Sequence, residues 1–69
     1  MKKSYYFENH GQIHRADVYT EPDGNGKFLV VIWNLHNGLV ENDSRWDDLK
    51  QVNLFLNYFN AKEREEDIE

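Results

Sequence analysis

Phe28-Leu29-Val30-Val31-Ile32-Trp33-Asn34-Leu35 is a long, nearly continuous apolar run, and the His36-Asn37-Gly38-Leu39 behind it sets Asn-Gly between apolar residues. β-Branched and aromatic residues in a stretch of this length predict a strand over 27–36. Asn-Gly predicts a two-residue type I′ connection into a short fourth strand over 39–41. Upstream, Glu21-Pro22-Asp23-Gly24-Asn25-Gly26 is a turn in which Pro presets φ and Gly supplies a positive φ. Ile13 to Thr20 then reads as a strand over 13–20, and Ser4-Tyr5-Tyr6-Phe7-Glu8 as one over 4–9, joined through Asn9-His10-Gly11.

Downstream, Asn42-Asp43-Ser44 offers helix caps, and Ser44 to Asp47 has capping-box spacing with Asp in the place of Glu. A helix over about 44–63 follows, with Asp47 and Asp48 in its first turn, where the helix dipole stabilises carboxylates. An acidic tail covers 63–69. The expectation is a single α+β domain over 1–69: a three- to four-stranded antiparallel β-meander followed by one C-terminal α-helix packed on one sheet face.

That architecture leaves apolar residues over. A sheet covered by one helix should alternate, yet the central run is apolar at its odd positions, Leu29, Val31, Trp33 and Leu35, and at its even ones, Phe28, Val30 and Ile32. The preceding strand does alternate, with His14, Ala16 and Val18 opposed to Ile13, Arg15, Asp17 and Tyr19. The smaller apolar set, Ala16 and Val18, is expected to face the helix. The even side of the central strand, with Tyr19 beside it and Arg15 and Asp17 as a rim, is expected to remain open to a partner. On the helix, Trp46, Leu49, Val52, Leu56 and Phe59, with Phe55 at the margin, form one stripe, whereas Leu54 and Tyr58 form a second spot on the far side.

Composition narrows the function classes. Sixty-nine residues without cysteine exclude disulfides, thiolate metal sites and cysteine catalysis. Two Trp, four Tyr and four Phe suit a chain that must stabilise a small core by dense packing or by association. The opening Met1-Lys2-Lys3-Ser4 is basic, but the apolar run behind it ends at Glu8, so a signal peptide is not expected and a cytoplasmic location is. No stretch approaches the roughly 20 apolar residues of a membrane span. The sequon Asn42-Asp43-Ser44 is formal in such a chain.

Net charge is −5, and Lys2, Lys3, Arg15, Lys27, Arg45, Lys50, Lys62 and Arg64 are scattered. Phosphate binding needs clustered cations. That opposes a nucleic-acid platform on Tyr5 or Tyr6, Tyr19 and Phe28, although such aromatics could stack bases. Ser4 and Ser44 show no nucleophile setting, and the adjacent Asp47 and Asp48 diverge on a helix. Gly24 and Gly26 lack the helix and Lys-Ser/Thr of a phosphate loop. The meander brings the turns holding His10 and His36 to one end with His14, but the spacing matches no metal motif, so neither metal nor cofactor is expected.

The reading is a non-enzymatic interaction module. It is expected to bind itself as a homodimer, or another protein, through Tyr19, Phe28, Val30 and Ile32, with Leu54 and Tyr58 as a secondary contact. The alternative is a small acidic inhibitor of a basic nucleic-acid-handling protein, of antitoxin, immunity or phage type, presenting Asp43, Asp47, Asp48 and the tail acids.

Overall fold

The computed structural model describes residues 1–64, and Glu65 to Glu69 of the acidic tail lie outside that range. Four strands form an antiparallel meander, β1 (Lys2–Asn9), β2 (Gln12–Tyr19), β3 (Phe28–Asn34) and β4 (Leu39–Trp46). The helix α1 (Leu49–Tyr58) follows, and a short strand β5 (Lys62–Arg64) pairs antiparallel with β1. The sheet order is β4-β3-β2-β1-β5. Since β4 and β5 are opposite edges, α1 must cross the sheet between them, and that crossing gives the sheet a covered and an open face.

Local chemistry explains the connections. His10 and Gly11 both have positive φ, the requirement of a two-residue hairpin turn between Asn9 and its partner Gln12. In the longer loop, Asp23 Oδ1 accepts from the backbone N–H groups of Asn25 and Lys27. Those two bonds, Lys27 first, hold the Asp23 carboxyl below its ordinary value, with Arg45 adding to the effect. The third connection differs from the expected type I′ turn. Only Gly38 of the Asn-Gly pair has a positive φ, and Asn34 organises the loop by accepting from His36 N–H and Asn37 N–H.

The segment 42–46 corrects the sequence reading. It is not the start of a helix but the second half of β4, paired from Asn42 opposite Ile32 to Trp46 opposite Phe28. Ser44 caps nothing; its Oγ accepts from Trp46 Nε1 at 2.8 Å. The N-cap is Asp48, whose Oδ1 accepts from Gln51 N–H at 2.9 Å. The helix also ends earlier than expected. Asn60 takes a left-handed conformation, Asn60 N–H donates to Asn57 O and Ala61 N–H to Leu56 O, the bonding of a Schellman cap that turns the chain into β5.

The core lies between α1 and the sheet. Val52 and Leu56 are buried against Phe7, Ala16, Val18 and Val30, with Tyr5, Ile32, Trp46, Leu49, Phe55, Phe59 and Ala61 packed around them. The expected helix stripe is the buried one from Leu49 to Phe59, but Trp46, expected to open it, reaches the same core from β4 instead. The expected parity of β3 is reversed. Ala16 pairs with Ile32 and Val18 with Val30, so Phe28, Val30 and Ile32 share the face covered by α1. Val30 is 0% exposed, Ile32 packs on the core and Phe28 is half-buried. The register across the loop from Thr20 to Lys27 decides this, because a shift of one residue exchanges the faces of a whole strand.

Candidate functional site

With the even face of β3 covered, the open face carries its odd residues. Cross-strand pairing sets Arg15 opposite Trp33, Asp17 opposite Val31 and Ser4 opposite Asp17. Across β3, Asp43 stands opposite Val31, Arg45 opposite Leu29 and Val40 opposite Trp33. Paired residues share a face. Tyr19 thus lies with Arg15 and Asp17, as expected, but on the opposite side of the sheet from Phe28, Val30 and Ile32. The same split separates Tyr6 and Tyr19 from Tyr5 and Phe28, so the aromatic residues do not assemble into one base-stacking platform.

Asp17 sits at the centre of the open face and is 3% exposed, although no element among the described residues covers it. Its neighbours bury it. Ser4 Oγ donates to Oδ1 at 2.9 Å and Trp33 Nε1 to Oδ2 at 3.1 Å. Arg15 Nε approaches Oδ1 to 3.0 Å out of hydrogen-bonding alignment, and Lys2 Nζ lies 4.0 Å from Oδ2. The Arg15 guanidinium carbon stands 5.4 Å from the centre of the Trp33 ring. A buried carboxylate is tolerated only when several donors meet it, and here four side chains converge. At the end nearest the β3–β4 loop, Ile13, Leu35 and Val40 are exposed around Trp33, with Leu35 N–H donating to Ile13 O at 3.0 Å.

A different kind of site occupies the covered face, at the corner that α1 leaves open. A cavity of about 350 Å³ is lined by Phe7, His14, Ile32, Glu41, Asn42, Ser44, Trp46, Phe55 and Phe59. It exists because β4 carries a bulge: Ile32 faces Asn42 and Trp33 faces Val40, leaving Glu41 as the extra residue. Glu41 and Asn42 consequently both reach the same side, which an unbroken strand forbids.

The bulged Glu41 completes a polar cluster. Glu41 Oε1 meets His14 Nε2 at 3.1 Å, and Oε2 accepts from Asn34 Nδ2 at 2.9 Å. Asn34 Nδ2 also donates to Gln12 Oε1 at 2.8 Å, and His14 Nδ1 lies 2.9 Å from Gln12 O. The ring of His14 stacks on Phe7, with centroids 5.2 Å apart. The hydrogen bond from Asn34, followed by the nearby imidazoles of His14 and His10, holds the Glu41 carboxyl below its ordinary value. Sequence reasoning singled out His14 but missed Glu41 and Asn34, since a bulge leaves no mark in residue spacing. Among the described residues, no group of three or more His, Asp or Glu side chains is arranged to hold a metal ion.

The remaining expected contacts are placed plainly. Leu54 and Tyr58 are 66% and 81% exposed, on the outer side of α1. Sheet and helix present these surfaces on opposite sides of the molecule, so one flat contact cannot use both. Of the acids, Asp47 pairs with Lys27, which raises the Lys27 pKa, Asp48 caps the helix and Glu63 pairs with Lys3 at 3.8 Å. No helix among the described residues is long and apolar enough to cross a membrane. Neither the known protein families, nor curated proteins, nor solved structures yield a match to this chain.

Proposed function

We propose that the chain is a non-catalytic interaction module that pairs with a second copy of itself through the open sheet face. The observation that carries this reading is the exposed apolar group Ile13, Leu35 and Val40 around Trp33, on a face that no element among the described residues crosses. Exposed apolar residues scattered singly are ordinary, but gathered on one face they mark a contact surface.

Two features favour a second copy. The face carries both signs of charge, with Lys2, Arg15 and Arg45 against Glu8 and Asp43, so a two-fold stacking can set unlike charges together. Its size also suits a weak association: four strands of seven or eight residues, about 4.8 Å apart, give roughly 500 Å² per copy, at the low end of interfaces between proteins. The acidic-inhibitor reading draws less support, because Asp47, Asp48 and Glu63 are already engaged within the chain.

Sedimentation equilibrium over a concentration series tests the proposal. The native chain should pass from monomer to dimer by about the high micromolar range expected of a small interface. Leu35→Asp should remain monomeric with an unchanged circular dichroism spectrum, while Leu54→Asp on the helix should still dimerise. A native chain that stays monomeric throughout, or a Leu35→Asp variant that dimerises as before, overturns it. A complex with another protein that Leu35→Asp abolishes, without any dimer, would assign the same face to a foreign partner instead.

A further inference from the structure

The corner cavity has the features of a binding site independent of the open face. Its volume of about 350 Å³ falls within the roughly 300–1,000 Å³ of small-molecule sites, and most of its wall is Phe7, Ile32, Trp46, Phe55 and Phe59. Polar groups are confined to Glu41, Asn42 and Ser44 along β4, with His14 behind them. Glu41 is the one carboxylate among the lining residues, and no lysine or arginine stands with it.

Glu41 is both fixed and reachable. Asn34 and His14 each occupy one oxygen, yet an ionised carboxylate offers about four acceptor positions, and the side chain is 47% exposed. Ser44 Oγ already accepts from Trp46 Nε1, which leaves its hydroxyl proton to donate. The Trp46 and Phe55 rings, 5.4 Å apart and inclined at 45°, form part of the aromatic wall of the same cavity.

We infer that this cavity binds a planar organic cation, an amidinium or guanidinium, with its head on Glu41 and its body against the aromatic wall that Phe7, Trp46, Phe55 and Phe59 form. A planar cation matches a carboxylate through two parallel N–H bonds, and aromatic faces attract it in addition. A neutral ring gains only the apolar contact, and an anion is repelled by Glu41. The imidazole behind Glu41 competes for the same charge, so affinity should be modest, with a Kd of about 1 mM for a ligand of this size. The cation could be a free small molecule or the arginine side chain of a peptide, and the same chemistry recognises both.

The test is a titration of the isotopically labelled full chain followed by amide and indole NMR shifts. Benzamidinium is compared with benzamide, its neutral counterpart, with benzoate, and with N-acetyl-arginine-methylamide. Benzamidinium should shift Glu41 to Trp46 and the Trp46 indole saturably, binding about tenfold more tightly than benzamide or benzoate, the gain expected of a charge-assisted pair. Glu41→Gln should remove that preference. Tighter binding of the arginine derivative would identify a peptide side chain as the natural source, and tighter binding of benzamidinium a free ligand. Equal binding of benzamide, or shifts confined to Trp33 and Arg15, overturns the inference, and so does the absence of saturation by about 10 mM. The ligand comparison uses the native chain, so it holds even where Glu41→Gln fails to fold.

Discussion

Glu41 Oε1 meets His14 Nε2 at 3.1 Å across an intervening strand, joining β2 to β4 over the top of β3. The other ring nitrogen of His14 faces Gln12 O, a carbonyl that can only accept. One ring nitrogen of His14 thus faces a carboxylate and the other a backbone carbonyl. The contact is made by the bulge in β4, and with it the polar end of the cavity.

The first prediction concerns acid. The Glu41 carboxyl is held below its ordinary value by Asn34 and the neighbouring imidazoles, so ionised Glu41 stabilises the fold. That contribution is complete above the unfolded glutamate value of about 4.3 and is lost as pH falls through the lower folded value. Urea midpoints measured from neutral to acidic pH should fall more steeply for the native chain than for Glu41→Gln, and the two curves should converge at low pH. Parallel curves would show that Glu41 contributes nothing through its charge.

The two leucines of α1 that differ most in setting should differ as much in effect. Leu56 is buried among Phe7, Ala16 and Val30, while Leu54 is 66% exposed. Leu56→Ala should cost about 2–5 kcal/mol through lost transfer energy and a residual cavity. Leu54→Ala should stay within about 0.5 kcal/mol. Denaturant unfolding followed by tryptophan fluorescence measures both.

How far the residues themselves foretold this arrangement depends on which signal each element uses. The meander was legible because Asn9-His10-Gly11 and Glu21-Pro22-Asp23-Gly24 punctuate apolar runs with residues that only turns require. The buried stripe of α1 was legible from periodicity, and so were the outward Leu54 and Tyr58. Two things were not. The faces of β3 depend on how many residues the 20–27 loop contributes to the register, which alternation cannot decide in a strand apolar on both sides. Asn42-Asp43-Ser44 has the composition of a helix cap, yet pairing with β3 holds it as strand, a case of tertiary context overriding propensity. Both errors bear on the candidate sites: the first exchanged the open face for the core, and the second hid Glu41.

The position of the helix start yields a third prediction. Asp48 accepts from Gln51 N–H, whereas Ser44 lies within β4 and bonds Trp46. Asp48→Ala should cost about 1 kcal/mol, as the loss of an N-cap does. Ser44→Ala should not change helix content. Far-ultraviolet circular dichroism with urea unfolding separates them, and a larger effect at Ser44 than at Asp48 would contradict the cap.

The last prediction concerns Asp17, on which the geometry of the open face depends. Its carboxylate takes hydrogen bonds from Ser4 and Trp33 and lies against Arg15 and Lys2, all while 3% exposed. Asp17→Ala leaves a guanidinium and two donors without their acceptor, which should cost about 3–5 kcal/mol. A chain of this size has a total stability of only about 3–10 kcal/mol, so the variant should be partly unfolded at 37 °C. Trp33→Phe removes a single donor and should cost about 1 kcal/mol from the hydrogen bond. If the two side chains act together, the double variant should be less destabilised than the sum of the single ones, by about 1 kcal/mol, the cost of the hydrogen bond they share. Additive losses would mean that Trp33 and Asp17 are independent, and that the indole is held on the open face by its neighbours Arg15 and Val40 alone.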